Sequence, residues 1–207
     1  MVGQKRGTRR NRKGTTRAVG GRLGEVRQRP ERMHRANPIV CTARPFSLAR
    51  DGERVAKYHT ELIVGQNELW KKTMSMPHDP QETRRALKAR QESAAFVRQV
   101  SAMMSQGEGH ALMFDTPDGE SVGYMFVTEM FEPITAERTG VIGELYVEEA
   151  LRGRGAGAQI LQAAEHWMAG RGIRTYQIFV TKTNVKAVEL YQKHGYVVVD
   201  YRMIKHT

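Results

Sequence analysis

The chain holds a single cysteine, Cys41, so no internal disulfide can brace it. That scarcity suits a reducing compartment, and Cys41 sits in an apolar run that reads as core rather than as a nucleophile. No His and Cys have zinc-ligand spacing, so no metal is expected. No apolar run approaches the ~20 residues of a membrane helix. The N-terminus lacks the apolar core of a secretory signal. The expectation is a soluble cytoplasmic protein with no membrane partner.

Acidic residues are scarce only at one end. Residues 1–38 carry 12 Lys or Arg against 2 Asp or Glu, a balance of +10, and the rest carries 21 against 20, a balance of +1. A nearly neutral domain over residues 39–207 therefore follows a basic segment. That segment is rich in glycine and threonine and poor in branched apolar and aromatic residues. It cannot bury enough surface to offset its ordering entropy and is expected to be disordered. An arm contacting nucleic acid or the ribosome fits its arginines. A transit peptide fits less well, because an amphipathic face is missing. In a third reading translation begins at Met33 and the segment has no role.

Hydrophobic residues make up 40% of the 207, enough for one domain of ordinary size plus a tail. Residues 39–44 read as a short strand stopped by Pro45. Residues 51–65 show helical spacing through Val55, Tyr58, Leu62 and Ile63. Pro77 and Pro80 break a polar linker. Residues 81–106 read as one long helix ending near Gly107 and Gly109. Residues 110–114 and 121–131 form a hairpin about the Asp115-Thr116-Pro117-Asp118-Gly119 turn. Residues 139–147 add a further strand. A helix, a strand over 175–180, a helix over 184–194 and closing strands over 196–199 and 201–204 follow. This order is α/β with a mixed sheet.

The most informative stretch runs Glu144-Leu145-Tyr146-Val147-Glu148-Glu149-Ala150-Leu151-Arg152-Gly153-Arg154-Gly155-Ala156-Gly157-Ala158. Three glycines in five residues let the backbone turn sharply and approach a ligand closely. Beyond Ala158, Ile160, Leu161, Ala164, Trp167 and Met168 keep a helix period. The loop thus delivers backbone N–H groups to a helix N-terminus, a site for phosphate oxygens. The nucleoside triphosphate string G-x-x-x-x-G-K-[ST] is absent. A dinucleotide G-x-G-x-x-[GA] is matched from Gly153 to Ala158. Yet Thr181, Lys182 and Thr183 stand where its ribose-binding carboxylate belongs, and only about fifty residues remain for a doubly wound sheet.

Arg152-Gly153-Arg154-Gly155-Ala156-Gly157 fits [QR]-x-x-G-x-[GA]. Downstream, the stretch from Asn184 through Ala187 and Tyr191 to Gly195 and Tyr196 fits N-x-x-A-x-x-x-Y-x-x-x-G-[FY]. Two such motifs in order resemble the GCN5-related N-acetyltransferase (GNAT) superfamily. The likeness spans roughly residues 39–205 and is densest over residues 141–196. It implies a mixed, mostly antiparallel central sheet flanked by helices, and acetyl-CoA as cosubstrate. It implies that the backbone of a splayed strand at Leu145, Tyr146 and Val147 pairs with the pantetheine arm. It also implies that Arg152, Gly153, Arg154, Gly155, Ala156, Gly157 and Ala158 hold the pyrophosphate, and that Asn184 contacts the cofactor arm. Asn184 reads equally as a helix N-cap. Homodimers through a sheet edge are frequent in the superfamily.

Acetyl transfer also needs an acid and a base. Tyr191 is the candidate acid for the departing thiolate, with a core aromatic as the bland alternative. Glu144 is the candidate base; it shares a strand face with Tyr146, and the alternative is a solvent-facing carboxylate. His166 and His194 read as packed or exposed helix residues. The acceptor is expected to be a primary amine of a small molecule or a protein. The region over residues 51–106 holds Glu61, Glu68, Asp79, Glu82 and Glu92 but also Lys71, Lys72, Arg84 and Arg85, so charge does not choose between them. The rival class is a catalytically inactive module that senses acyl-CoA or bridges to nucleic acid.

Overall fold

The computed structural model describes residues 37–205. The basic segment and its expected disorder, its nucleic-acid or ribosome contact and the Met33 start lie outside the described residues, Asn37 and Pro38 apart.

Five strands form one sheet in chain order: β1 (Thr42–Pro45), β2 (Gly109–Asp115), β3 (Ser121–Glu132), β4 (Glu137–Val147) and β5 (Thr175–Ile178). Neighbours from β1 to β4 pair antiparallel, and β5 joins β4 in parallel. The helices are α1 (Leu48–Thr73), α2 (Pro80–Ala89), α3 (Glu92–Ser105), α4 (Ala156–Gly170) and α5 (Val185–Lys193). Local chemistry sets several ends. Pro80 opens α2 while the Asp79 side chain accepts from Gln81 N–H at 2.8 Å. The β2–β3 turn uses Gly119 at φ 82°, a conformation that favours glycine.

Each sheet face has its own core. Ile160, Leu161, Ala164 and Met168 of α4 pack on Val122, Met125, Val127 and Ile142. Val55 and Tyr58 of α1 and Val97 and Val100 of α3 pack on Ala111, Met113, Tyr124, Phe126 and Tyr146. The strand alternation that serves both faces shifts once in β4. Phe126 pairs with Glu144 but Val127 pairs with Ile142, leaving Gly143 as an extra residue. Before this bulge Gly140 and Ile142 face α4; beyond it Leu145 and Val147 do. Glu144 and Tyr146 are thereby turned toward α1.

Three expectations are corrected. The single helix over residues 81–106 is two helices, broken at Gln91 with φ 51°. The apolar stripe of α3 must meet α1 and β2, whereas α2 buries no residue fully, and one straight helix cannot satisfy both. The first helix, expected over residues 51–65, runs from Leu48 to Thr73. Residues 196–205 form no strand: Val197, Val199, Tyr201 and Met203 are all exposed. Their β-propensity finds no ladder partner, and a strand exists only in pairing.

Candidate active site

The glycine loop follows β4 through one turn of 3-10 helix at Glu149–Leu151 and enters α4. Gly153 has φ 74° and Gly155 φ 88°, and a Cβ at either would meet nothing within 4 Å. Gly155 is the α4 N-cap, with no side-chain cap. The first N–H groups of a helix have no intrahelical acceptor, so Ala156, Gly157 and Ala158 offer donors at the positive end of α4. At Gly157 a Cβ would stand 3.2 Å from Leu190, so glycine there lets α4 approach α5. Arg152 donates Nε to the Val147 carbonyl at 2.9 Å, and its guanidinium lies 5.5 Å from the Tyr146 ring centre. Arg154 donates Nε to the Asn37 carbonyl at 3.0 Å. Each keeps its Nη donors for an anion. A diphosphate fits this donor set.

Beside the loop the sheet opens. Pairing of β4 with β5 ends at Ile142 opposite Ile178, while β4 runs on to Val147. The β5-side backbone edge of Leu145, Tyr146 and Val147 borders the gap, and Phe179 beyond β5 is exposed. Across it, Asn184 caps α5 by accepting from Ala187 N–H at 3.4 Å. Tyr191 is buried in the α4-side core beside Tyr196. Burial pushes its phenol up to about 12.

Glu144 lies on the other face of the sheet from Tyr191. It is not solvent-facing: its carboxylate is buried, and Oε1 lies in hydrogen-bond contact with His59 Nδ1 at 2.6 Å. Burial pushes the Glu144 carboxyl above the usual carboxylate range, and His59 offsets part of that rise. The His59 ring stacks on Phe96 at 4.1 Å and 8°. His59 also lines a cleft of about 350 Å³ among α1, α2 and α3, with Ile63, Asn67, Leu87, Arg90 and Glu92. Sequence reading passed over His59. Its signal was a histidine on the apolar stripe of α1, next to Tyr58 and four residues after Val55. Cys41 is half-buried against the α4-side core, with its N–H given to Gln159 Oε1 at 3.0 Å. Among the described residues no helix is long and apolar enough to cross a membrane, and no cluster of three metal-ligating side chains occurs.

The family model described as "Acetyltransferase (GNAT) family" matches residues 68–196. An uncharacterized N-acetyltransferase of Bacillus subtilis, YhfO, is 28% identical over 110 residues, which cover 49% of this chain and 74% of that protein. A GCN5-related N-acetyltransferase from Ralstonia eutropha superposes with a TM-score of 0.60 at 19% identity, covering 81% of this chain and 99% of its own. A predicted acetyltransferase from Clostridium acetobutylicum, solved with acetyl-CoA, superposes with a TM-score of 0.56 at 13% identity, covering 81% and 96%. This chain belongs to the acetyltransferase (GNAT) family.

Proposed function

We propose that this family member is an N-acetyltransferase that uses acetyl-CoA and acts on a primary amine of a small molecule or a protein. The observation that carries the reading is the uncapped N-terminus of α4, entered through two positive-φ glycines beside the open end of β4 and β5. The presence of acetyl-CoA in the Clostridium acetobutylicum protein of the same fold supports the choice of donor. When bound, acetyl-CoA supplies an activated thioester. The N–H groups of Ala156, Gly157 and Ala158, with Arg152 and Arg154, hold its phosphates. The backbone of Leu145, Tyr146 and Val147 and the Asn184 amide serve its amide-bearing arm, and one N–H at that edge polarises the carbonyl. Tyr191 donates to the departing sulfur on the α5 side. The acceptor enters from the α1 side, where Glu144 provides the charge that draws its proton.

Calorimetry with acetyl-CoA on the full chain and on Gly155→Glu tests this. Micromolar binding is expected for the full chain, weakened at least ~100-fold in the variant. The added carboxylate fills and charges the cradle, and a side chain at φ 88° is strained by about 1–2 kcal/mol. Equal affinity would refute the cradle. Binding without turnover on an amine panel would point instead to an acyl-CoA sensor.

A further inference from the structure

Glu144 does not meet the acceptor cleft by itself. Its partner His59 does: His59 lines the cleft, and the two residues lie 85 positions apart, so only the fold brings them together. With Nδ1 donating to the carboxylate, the neutral imidazole carries its lone pair on Nε2. Among the described residues nothing hydrogen-bonds Nε2, and it is not among the buried polar atoms lacking a partner. Phe96 holds the ring plane. Glu144 Oε2 is buried without a partner, an unfavourable arrangement that a positive charge on His59 would offset. The other charged groups that line the cleft are Arg90 and Glu92 at the α2–α3 junction, of opposite sign. On β3, apolar Phe126 stands edge-on to Phe96.

We infer that His59 is the catalytic base and Glu144 its positioning residue, the pair opening onto an acceptor cleft between α1, α2 and α3. The inference rests on the N-acetyltransferase reading. As the acceptor nitrogen bonds to the acetyl carbon and the carbon–sulfur bond breaks, the proton on nitrogen passes to Nε2. The sulfur takes a proton from Tyr191. His59 then releases its proton to solvent and Tyr191 recovers one, leaving an amide and a thiol. Glu144 fixes the tautomer and stabilises the imidazolium without itself being protonated.

Nitrogen-15 NMR of the histidines in the full chain, without ligand, reads the arrangement directly. The Nδ1–H tautomer is expected for His59 at neutral pH, giving way to Nε2–H in Glu144→Gln. In kinetics, His59→Gln lowers kcat at least ~100-fold with acetyl-CoA affinity within ~2-fold. Glu144→Gln lowers kcat about 10-fold, because the imidazolium formed as the proton is taken loses its counter-charge. An Nε2–H tautomer in the wild type, or His59→Gln turning over at the wild-type rate, overturns the inference. If His59→Gln fails to fold, the tautomer in the wild type and in Glu144→Gln decides. A wild type that binds no acetyl-CoA fails the transferase reading, a result separate from the tautomer.

Discussion

Tyr191 shows how burial sets what a side chain can do. Its phenol, raised to about 12, stays protonated through the physiological range and remains a donor. So weak an acid gives its proton only to a sulfur that already carries charge. The folded value exceeds the unfolded ~10, so the associated stability is complete below pH ~10 and is lost as pH rises through 12. Tyr191→Phe is expected to lower kcat about 10–100-fold with acetyl-CoA affinity nearly unchanged. It should also shrink the loss of stability between pH 10 and 12 seen in urea melts. An unchanged kcat would leave Tyr191 as a core aromatic. Its position was legible because the motif around it is local: Asn184 starts the helix and Gly195 ends it, at φ 88°. His59 was not legible, because its partner lies across the fold and nothing near it in the chain announces one.

At the scale of elements, the bulge at Gly143 matters most. Were Gly143 paired regularly instead of bulged, Glu144 would share a face with Gly140 and Ile142 and point into the core under α4. Simple alternation put Glu144 with Tyr146, and the structure keeps them together, but which helices they face depends on a slip in pairing that no glycine pattern located. Two other elements were misread for the same kind of reason. Gln91 breaks a stretch with good helix formers on both sides, and residues 196–205 lack a ladder despite their valines. The strand next to the site is held tightly. A Cβ at Gly123 would collide with the Tyr146 carbonyl oxygen, a backbone atom that cannot swing aside as a side chain could. Gly123→Ala must therefore part β3 from β4. The expected cost is about 2–4 kcal/mol, read as a lower urea midpoint, with weaker acetyl-CoA binding as Tyr146 and Val147 move. An unchanged midpoint would mean that the strands yield freely there.

Across the molecule, the sheet separates two tasks. The proposed phosphate cradle lies at α4 and the loop before it, and the proposed proton-accepting pair at α1 and the turned end of β4. The faces have separate cores, so damage to one task should leave the other standing. Thermal melting with acetyl-CoA tests that separation. At about 100 times Kd, a ligand that binds only the folded state adds about 2.7 kcal/mol. In a domain of this size each kcal/mol raises Tm by about 2–4 °C, so the wild type should gain roughly 5–10 °C. His59→Gln should gain as much, because the proposed cradle lies on the far face, while Gly155→Glu should gain no more than about 1–2 °C and still show the His59 tautomer of the wild type. Coenzyme A without its acetyl group should reproduce most of the rise, since the phosphates rather than the thioester meet the α4 donors. A full rise in Gly155→Glu would place the phosphates elsewhere. A lost rise in a folded His59→Gln would show that the two faces act as one site.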